Sequence, residues 1–478
     1  MLLVMIIPGA LVLFFVILLA RTLAFKAPVS EPVDIEEIAV DADKIAKHLA
    51  QMIRCKTVSF RNENLIDRNE FNKFRNLLAE LYPNVHKSCK VELIGPTGIL
   101  FTLKGRNSTN PVVLMSHYDV VPADEAAWDK PPFEGIVENA VIWGRGTLDT
   151  KSTLCGIMEA AESLIMHGFI PENDLYFAFS GEEEITGETA PAMVEELNRR
   201  GVVPAMVLDE GGAVVKNIFP GVARPCAMVA TAEKGILDIE FSVKSQGGHS
   251  STPPPHTPVG ILARAVTQVE KKPFKARLTP PVTAMFNTLG PHSSFVYRLI
   301  FANLWCFMPL LGIICRKQGG ELNAMMRTTC AFTMMEGSNV PNVLPPVAKV
   351  TANLRLLGGD TIEGAIAYVK SLVDNKNIEL RSIYATNPSP VSPAAGSGWD
   401  TLKNTIMQTW PETLVSPYLM FGGTDSRHYC RICDHVYRFS AMAITKEEIA
   451  TIHGNNERIP LDTLVKTVQF YTRLVRHC

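Results

Sequence analysis

A chain of 478 residues has room for about three domains and a large buried core. Apolar residues make up 47% and charged residues 20%, which excludes a disordered chain, a collagen-like repeat and a disulfide miniprotein. Lys plus Arg number 46 against 48 Asp plus Glu, a net charge of −2, so no global field exists to hold phosphates and no nucleic-acid partner is expected. Ten cysteines are too sparse for a disulfide framework and too irregular for a zinc ribbon, and leave the redox compartment open.

The chain opens on an apolar run, Leu2 to Leu19, that carries no charge and spans about 27 Å as a helix, close to a bilayer core. No Lys or Arg precedes it and no small-x-small site follows clearly, so a single-pass anchor over residues 1–26 is expected, with secretion after signal cleavage as the alternative. A proline-containing linker (27–33) leads to a stretch, Ile35 to Ile53, whose apolar residues Ile38, Ala42, Ile45, Leu49 and Ile53 share one helix face.

Short apolar runs (Val112 to Met115, Leu175 to Phe179, Met206 to Leu208) then alternate with helical stretches (Ser152 to His167, Ala190 to Arg200). Bare strands alternating with helices predict an α/β fold, a mostly parallel sheet with helices on both faces and its site at the carboxyl ends of strands. From Gly235 the texture changes to alternating segments at Ile236 to Val243, Thr328 to Met335, Val347 to Leu356 and Ile378 to Ala385, with helices at Val259 to Val269 and Thr361 to Val373. The order β-α-β-β-α-β predicts an inserted ferredoxin-like α+β unit. The expected division is a hydrolase domain over 36–231 and 389–478, and a lid or dimerisation domain over 232–388. Within the latter, an insert (275–327) holds an apolar stretch, Phe295 to Cys315, broken at Pro309 and expected to form a helical hairpin over a hydrophobic site or against a membrane.

Chemistry-bearing residues fall at the strand ends. His117-Tyr118-Asp119 pairs an imidazole with a carboxylate that can orient it, although alone such a pair is equally a turn. Asp149 follows a glycine-rich turn and is able to bridge two cations. Glu182-Glu183-Glu184 repel one another unless metal or solvent screens them. Asp209 and Glu210 end the next strand, and His453 lies far downstream. Two histidines and several carboxylates at successive strand ends suit a pair of zinc ions.

The ordered motifs VLMSHYDVVP, WGRGTLDTK, FSGEEEITG, LDEGG, GGHSS, ANLRLLGGDT, GGTDSRHY and IHGNNE resemble the aminoacylase/carboxypeptidase family of co-catalytic zinc metallopeptidases over about residues 40–478. Within it they are most similar to the branch of carboxypeptidase S and N-fatty-acyl-amino-acid synthase/hydrolase. The resemblance implies a zinc-exopeptidase-like fold, two zinc ions per chain, and a possible homodimer. It implies that His117, Asp149, Glu184, Asp209 and His453 are metal ligands, that Asp119 orients His117, that Glu183 is the general base, and that His249 polarises the scissile carbonyl. Arg355 and Asn342, with Gly423, Thr424 and Asp425, are implied to hold the substrate, an N-acyl amino acid or a peptide with a free carboxylate. Thr150 follows Asp149 where relatives commonly carry Asp, a departure that removes no ligand. Cys430, Cys433 and His435 resemble half a zinc knuckle without a second pair and are read as structural.

Overall fold

The apolar runs pair into one eight-stranded sheet in the computed structural model, which describes residues 2–28 and 34–478, with side chains from Gly9 onward. The expected linker at 27–33 lies largely outside the described residues. Across the sheet the strands run Lys90–Ile94, Gly98–Leu103, Asn173–Ser180, Asn107–His117, Met206–Val215, Val436–Ala443, Cys226–Glu233 and Leu414–Met420. Asn107–His117 is parallel to both neighbours, and Met206–Val215 is parallel to Val436–Ala443. The sheet is mixed, and four of its seven neighbouring strand pairs are parallel. Lys90–Ile94 and Gly98–Leu103 are joined by a tight turn, which permits only antiparallel pairing, and Cys226–Glu233 returns against Val436–Ala443.

Helices cover both faces. On one, Lys151–Met166 packs against Leu461–Arg476 and Ala42–Ile53. The first two approach so closely at Gly156 that a Cβ there would lie 2.7 Å from Thr467 Cγ2. Thr189–Arg199 covers the opposite face, seating Met193, Val194 and Leu197 over Leu100, Val113 and Val207. The first helix of the body begins at Ala42, later than the expected Ile35, because Asp41 caps it by accepting the Lys44 N–H at 3.0 Å.

The N-terminal anchor is not borne out. Residues Leu2–Ala24 are helical, but among the described residues no single helix is long and apolar enough to cross a membrane, and the apolar helix identified, Gly9–Ala24, falls short of the roughly 20 residues required. A short apolar helix near the N-terminus fits the secreted alternative. Its second half is docked on the protein: the Arg21 guanidinium donates to the Ala302 carbonyl at 3.1 Å, and the Asn303 amide donates to the Leu18 carbonyl at 3.2 Å and to Thr22 Oγ1 at 3.3 Å. Asn303 is the break between Phe295–Ala302 and Leu304–Gln318, helices bent by 108° to each other, where the sequence predicts a hairpin. Phe301 is buried against Phe219 and Phe286, whereas Trp305 is 57% and Leu310 52% exposed.

The second sheet is antiparallel, in the order Thr329–Glu336, Val347–Leu356, Gly235–Lys244, Glu379–Thr386, with helices Pro258–Lys271 and Ile362–Leu372 against it. This is the β-α-β-β-α-β arrangement expected, with Leu237, Ile239, Phe241 and Val243 alternating into its core. It leaves the large sheet at Glu233. Burial favours a neutral Glu233, but Arg438 and Arg427 beside it hold its carboxyl below the ordinary range. The Arg438 Nε donates to it at 2.8 Å and the Arg427 Nη2 at 2.9 Å, while Arg427 Nη1 reaches Thr386 Oγ1 on the returning strand at 2.7 Å. Lys234 Nζ donates to the carbonyls of Ala324 and Arg327, tying the end of the insert to the same junction. Glu233→Ala leaves Arg438, wholly buried, without its counter-charge. Urea unfolding is expected to show a loss of about 3–5 kcal/mol, and an unchanged midpoint would remove Glu233 from the junction's supports.

Candidate active site

His117 ends its strand inside the protein, 2% exposed, and two contacts orient it: Nδ1 is 3.0 Å from the Asp119 carbonyl and 3.4 Å from Asp119 Oδ1. Asp119 is itself fixed by Ser59, whose hydroxyl donates to Oδ2 at 2.7 Å. It also accepts the backbone N–H groups of Glu183 and Glu184 at 3.1 and 3.2 Å, so one buried carboxylate sets both the imidazole and the glutamate turn.

The two oxygens of Asp149 face different histidines. Oδ1 lies 2.9 Å from His117 Nε2 and Oδ2 lies 3.0 Å from His453 Nε2. On the His117 side Glu210 Oε1 is 3.1 Å from Nε2, and on the His453 side Glu184 Oε2 is 3.0 Å from Nε2. Ligand atoms of His117, Asp149 and Glu184 lie within 4.8 Å of one another, as do those of His117, Glu183 and Glu210. The result is two adjoining clusters of imidazole nitrogen and carboxylate oxygen that share His117.

Asp209 is not in them. Its carboxylate accepts the N–H of Ser426 at 3.0 Å and that of Glu210 at 2.9 Å, and Glu210 rather than Asp209 lies beside His117. The pairing of this strand with Val436–Ala443 explains the exchange. Asp209 pairs with Arg438 and Gly212 with Phe439, so Glu210 and Gly211 form a bulge that aims Glu210 at His117. Gly211, at φ +148°, has a Cβ position 2.6 Å from Arg438 Cβ, which excludes a side chain there.

The register of the glutamates follows from Glu182, 8% exposed, which turns away from the clusters to accept the Thr189 hydroxyl while its carbonyl accepts the Gly187 N–H at 2.9 Å. Glu183 and Glu184 therefore face the centre. Thr150 is buried, its hydroxyl 2.8 Å from Thr153 Oγ1 in the first turn of the following helix.

Glu457, fully buried in IHGNNE, was not singled out from the sequence. Its carboxylate accepts Arg145 Nη1 at 2.8 Å and the N–H groups of Gly146, Leu148 and Asp149 at 3.0, 2.7 and 3.2 Å. Arg145 Nη2 donates to the Gly454 carbonyl at 2.7 Å. The turn carrying Asp149 and the turn carrying His453, the latter at a positive φ of 59°, are thus stapled to each other. The presence of both Glu457 and Glu210 inside recognised motifs was the available signal.

The substrate residues are divided. Gly248 and His249 pair with Leu344 and Val343 in a small ribbon, and the Asn342 carbonyl accepts the Ser250 N–H at 3.0 Å, so His249 and Asn342 are neighbours. His249 is exposed, its Nδ1 2.7 Å from Ser251 Oγ, and no hydrogen bond joins it to the clusters. Arg355 is half-buried on the antiparallel sheet, Nε donating to Asn353 Oδ1 at 3.1 Å, with no carboxylate in ion-pair range among the described residues. Gly423 packs against the Arg427 guanidinium. Thr424 donates to Glu233 Oε1 at 2.7 Å and supports the junction. Asp425 is buried beside Asp209, with Oδ2 unpartnered, and burial together with the Asp209 charge pushes its carboxyl up to about 7.

The donor set fits divalent cations. Among the described residues no Lys or Arg pairs with Asp149, Glu183, Glu184 or Glu210. Burial pushes the Glu183 carboxyl well up and that of Glu210 to about 8, as expected where negative charge is crowded out of water. Burial opposes charge on Asp149 too, but the hydrogen bonds from His117 and His453 outweigh it and hold its carboxyl below the usual range. Cations at the two clusters would neutralise this excess, and nitrogen and carboxylate oxygen are the donors that zinc accepts. Glu457→Ala, which frees both ligand turns, is expected to weaken binding of divalent metal by about 10–100-fold in a chelator competition, and undiminished affinity would refute the staple.

The sequence profile of peptidase family M20/M25/M40 matches residues 113–477. N-fatty-acyl-amino acid synthase/hydrolase PM20D1 of Xenopus tropicalis is 35% identical over 98% of this chain and 93% of its own length. "Probable carboxypeptidase S-like 2" of Dictyostelium discoideum is 33% identical over 95% of this chain and 88% of its own. Among solved structures, the M20 family metallo-carboxypeptidase Sso-CP2 of Sulfolobus solfataricus superposes with a TM-score of 0.68 at 16% identity, covering 90% of this chain and 98% of that one.

Proposed function

Because the chain belongs to peptidase family M20/M25/M40, a family of metal-dependent hydrolases, we propose that it is a two-zinc amidohydrolase that cleaves, or in reverse forms, the amide bond of an N-acyl amino acid. The observation that carries this reading is Asp149, whose two oxygens address His117 with Glu210 on one side and His453 with Glu184 on the other. Bound zinc would supply Lewis acidity, making water a nucleophile near neutral pH and stabilising the negative charge that develops on the carbonyl oxygen. His117, Glu210, Glu184 and His453 would hold the ions, with Asp149 between them.

The chain's own residues carry the rest. Glu183, its carboxyl already raised by burial, takes a proton from the attacking water and returns it to the leaving amine. Asp119 keeps the His117 ring and the Glu183 backbone in place. Arg355, without a carboxylate partner, offers two parallel hydrogen bonds to the free carboxylate of the amino-acid half. His249 stands apart from the clusters, so it acts either on closure of its own chain or across a homodimer. Mixing inactive His249→Ala with inactive Glu183→Gln decides between these: regained activity places the histidine in a neighbouring subunit, and none, with subunit exchange verified, places it in the same chain.

Elemental analysis is expected to find about two zinc ions per active chain, and one or none would defeat the two-ion reading. Glu183→Gln is expected to lower kcat by about 10²–10⁴-fold with metal content retained, whereas Glu182→Gln keeps most activity because that side chain binds Thr189. A dead Glu182→Gln would shift the assignment by one residue.

A broad carboxypeptidase or dipeptidase is the second reading, favoured by Arg355, which accepts any C-terminal carboxylate, and by the similarity to the Dictyostelium protein. An inactive binding relative is disfavoured because no ligand or base is missing. The apolar insert separates the first two readings. A long acyl chain contributes about 0.8 kcal/mol for each CH₂ removed from water, a gain that peptides cannot use. Changing Trp305 and Phe307 to Ser is therefore expected to depress kcat/KM for N-oleoyl amino acids far more than for N-acetyl ones. Equal losses would leave the carboxypeptidase reading ahead.

A further inference from the structure

A cavity of about 820 Å³ lies at the carboxyl ends of Met206–Val215 and Val436–Ala443, and its lining includes no residue of the two catalytic clusters. It is bounded also by Pro225 and Thr413, which precede the strands Cys226–Glu233 and Leu414–Met420. Its apolar wall is built by Trp410, Ile444 and Val214. Lys216, Lys446 and Lys466 stand on its exposed side, and none of the three pairs with a carboxylate among the described residues. They outnumber the two acids of the lining, Glu412 and Glu447.

A second hollow of about 310 Å³ shares Lys446 as a wall. It lies beneath the end of the insert and is lined by Met228, Met285, Met325, Phe219 and Leu322, flexible and aromatic surfaces that adapt to a chain of variable shape. Glu321, also in its lining, keeps an anionic group out of this hollow and on the lysine side. Both volumes fall within the roughly 300–1,000 Å³ typical of sites that enclose a small ligand.

From this juxtaposition we propose a second binding site, with walls of its own distinct from the catalytic clusters, for a long-chain fatty carboxylate. The head group pairs with the three lysines and the chain lies along Trp410, Ile444 and Val214, with the methionine-lined hollow extending the apolar path. The choice of a fatty acid rests in part on the proposed hydrolysis, which would release one, but the site itself is defined by its own walls and charges.

Trp410 makes the site readable. Bromine on an acyl chain quenches tryptophan on contact, so 9,10-dibromostearate is titrated, below its micelle concentration, into the Trp305→Phe chain, which removes the indole of the proposed acyl surface, and into the same chain carrying Glu183→Gln. Saturable quenching is expected in both, lost in Trp410→Phe and shifted to about tenfold higher concentration in Lys446→Glu with Lys466→Glu. The uncharged methyl ester of the same acid is expected to bind about tenfold more weakly than the acid. Quenching that survives Trp410→Phe, or that ignores both the lysine reversals and the ester, overturns the proposal. Failure to hydrolyse N-oleoyl amino acids with this quenching intact would defeat the proposed reaction and leave the second site standing.

Discussion

A buried carboxylate is stable only when donors or cations surround it, and the active end of this protein is organised by that requirement. Glu457 is the clearest case: one side chain accepts from a guanidinium and three backbone N–H groups, and so joins the turn of Asp149 to the turn of His453, which stands some three hundred residues later in the chain. Asp119 does the same for His117 and the glutamate turn, and Glu233 for the junction with the antiparallel unit. In each case the carboxylate's donors come from segments that are distant in sequence, so satisfying its charge and assembling the site are one event.

Where donors run out, the chemistry begins. Asp149, Glu183, Glu184 and Glu210 have imidazoles and one another for company, and burial drives the Glu183 and Glu210 carboxyls upward. Such crowding is costly in a protein that binds no cation and appropriate in one that does. The structural carboxylates and those facing the clusters are thereby distinguished by what surrounds them: Glu182 is answered by Thr189 and Asp209 by two backbone amides, whereas their neighbours Glu183 and Glu210 face His117.

The apolar segments obey the same logic in reverse. The N-terminal helix turns Arg21 and Thr22 towards the insert, and Asn303, at the break between the two insert helices, answers the Leu18 carbonyl and the Thr22 hydroxyl. A run that looks featureless in composition is therefore joined to the body through the few polar groups it and its neighbour contain, while Trp305 and Leu310 remain exposed beside it.

Composition, periodicity and motif order determined the fold class, the βαββαβ unit and the helical insert, and marked the histidines and carboxylates at strand ends as candidates, because strands that end in turns and helices with a 3.6-residue stripe leave local marks in the chain. The glutamate register came from the family resemblance, and in the fold the Gly187 N–H closes a turn on the Glu182 carbonyl. The choice between Asp209 and Glu210 needed the tertiary structure. Adjacent residues on a strand normally face opposite sides, and only the bulge against Val436–Ala443 decides which one reaches His117. The staple at Glu457, the pairing of Glu233 with Arg438, the antiparallel strands within the sheet and the docking of the N-terminal helix were likewise decided in three dimensions. Each depends on a partner dozens to hundreds of residues away, and no local pattern records a partner at that distance.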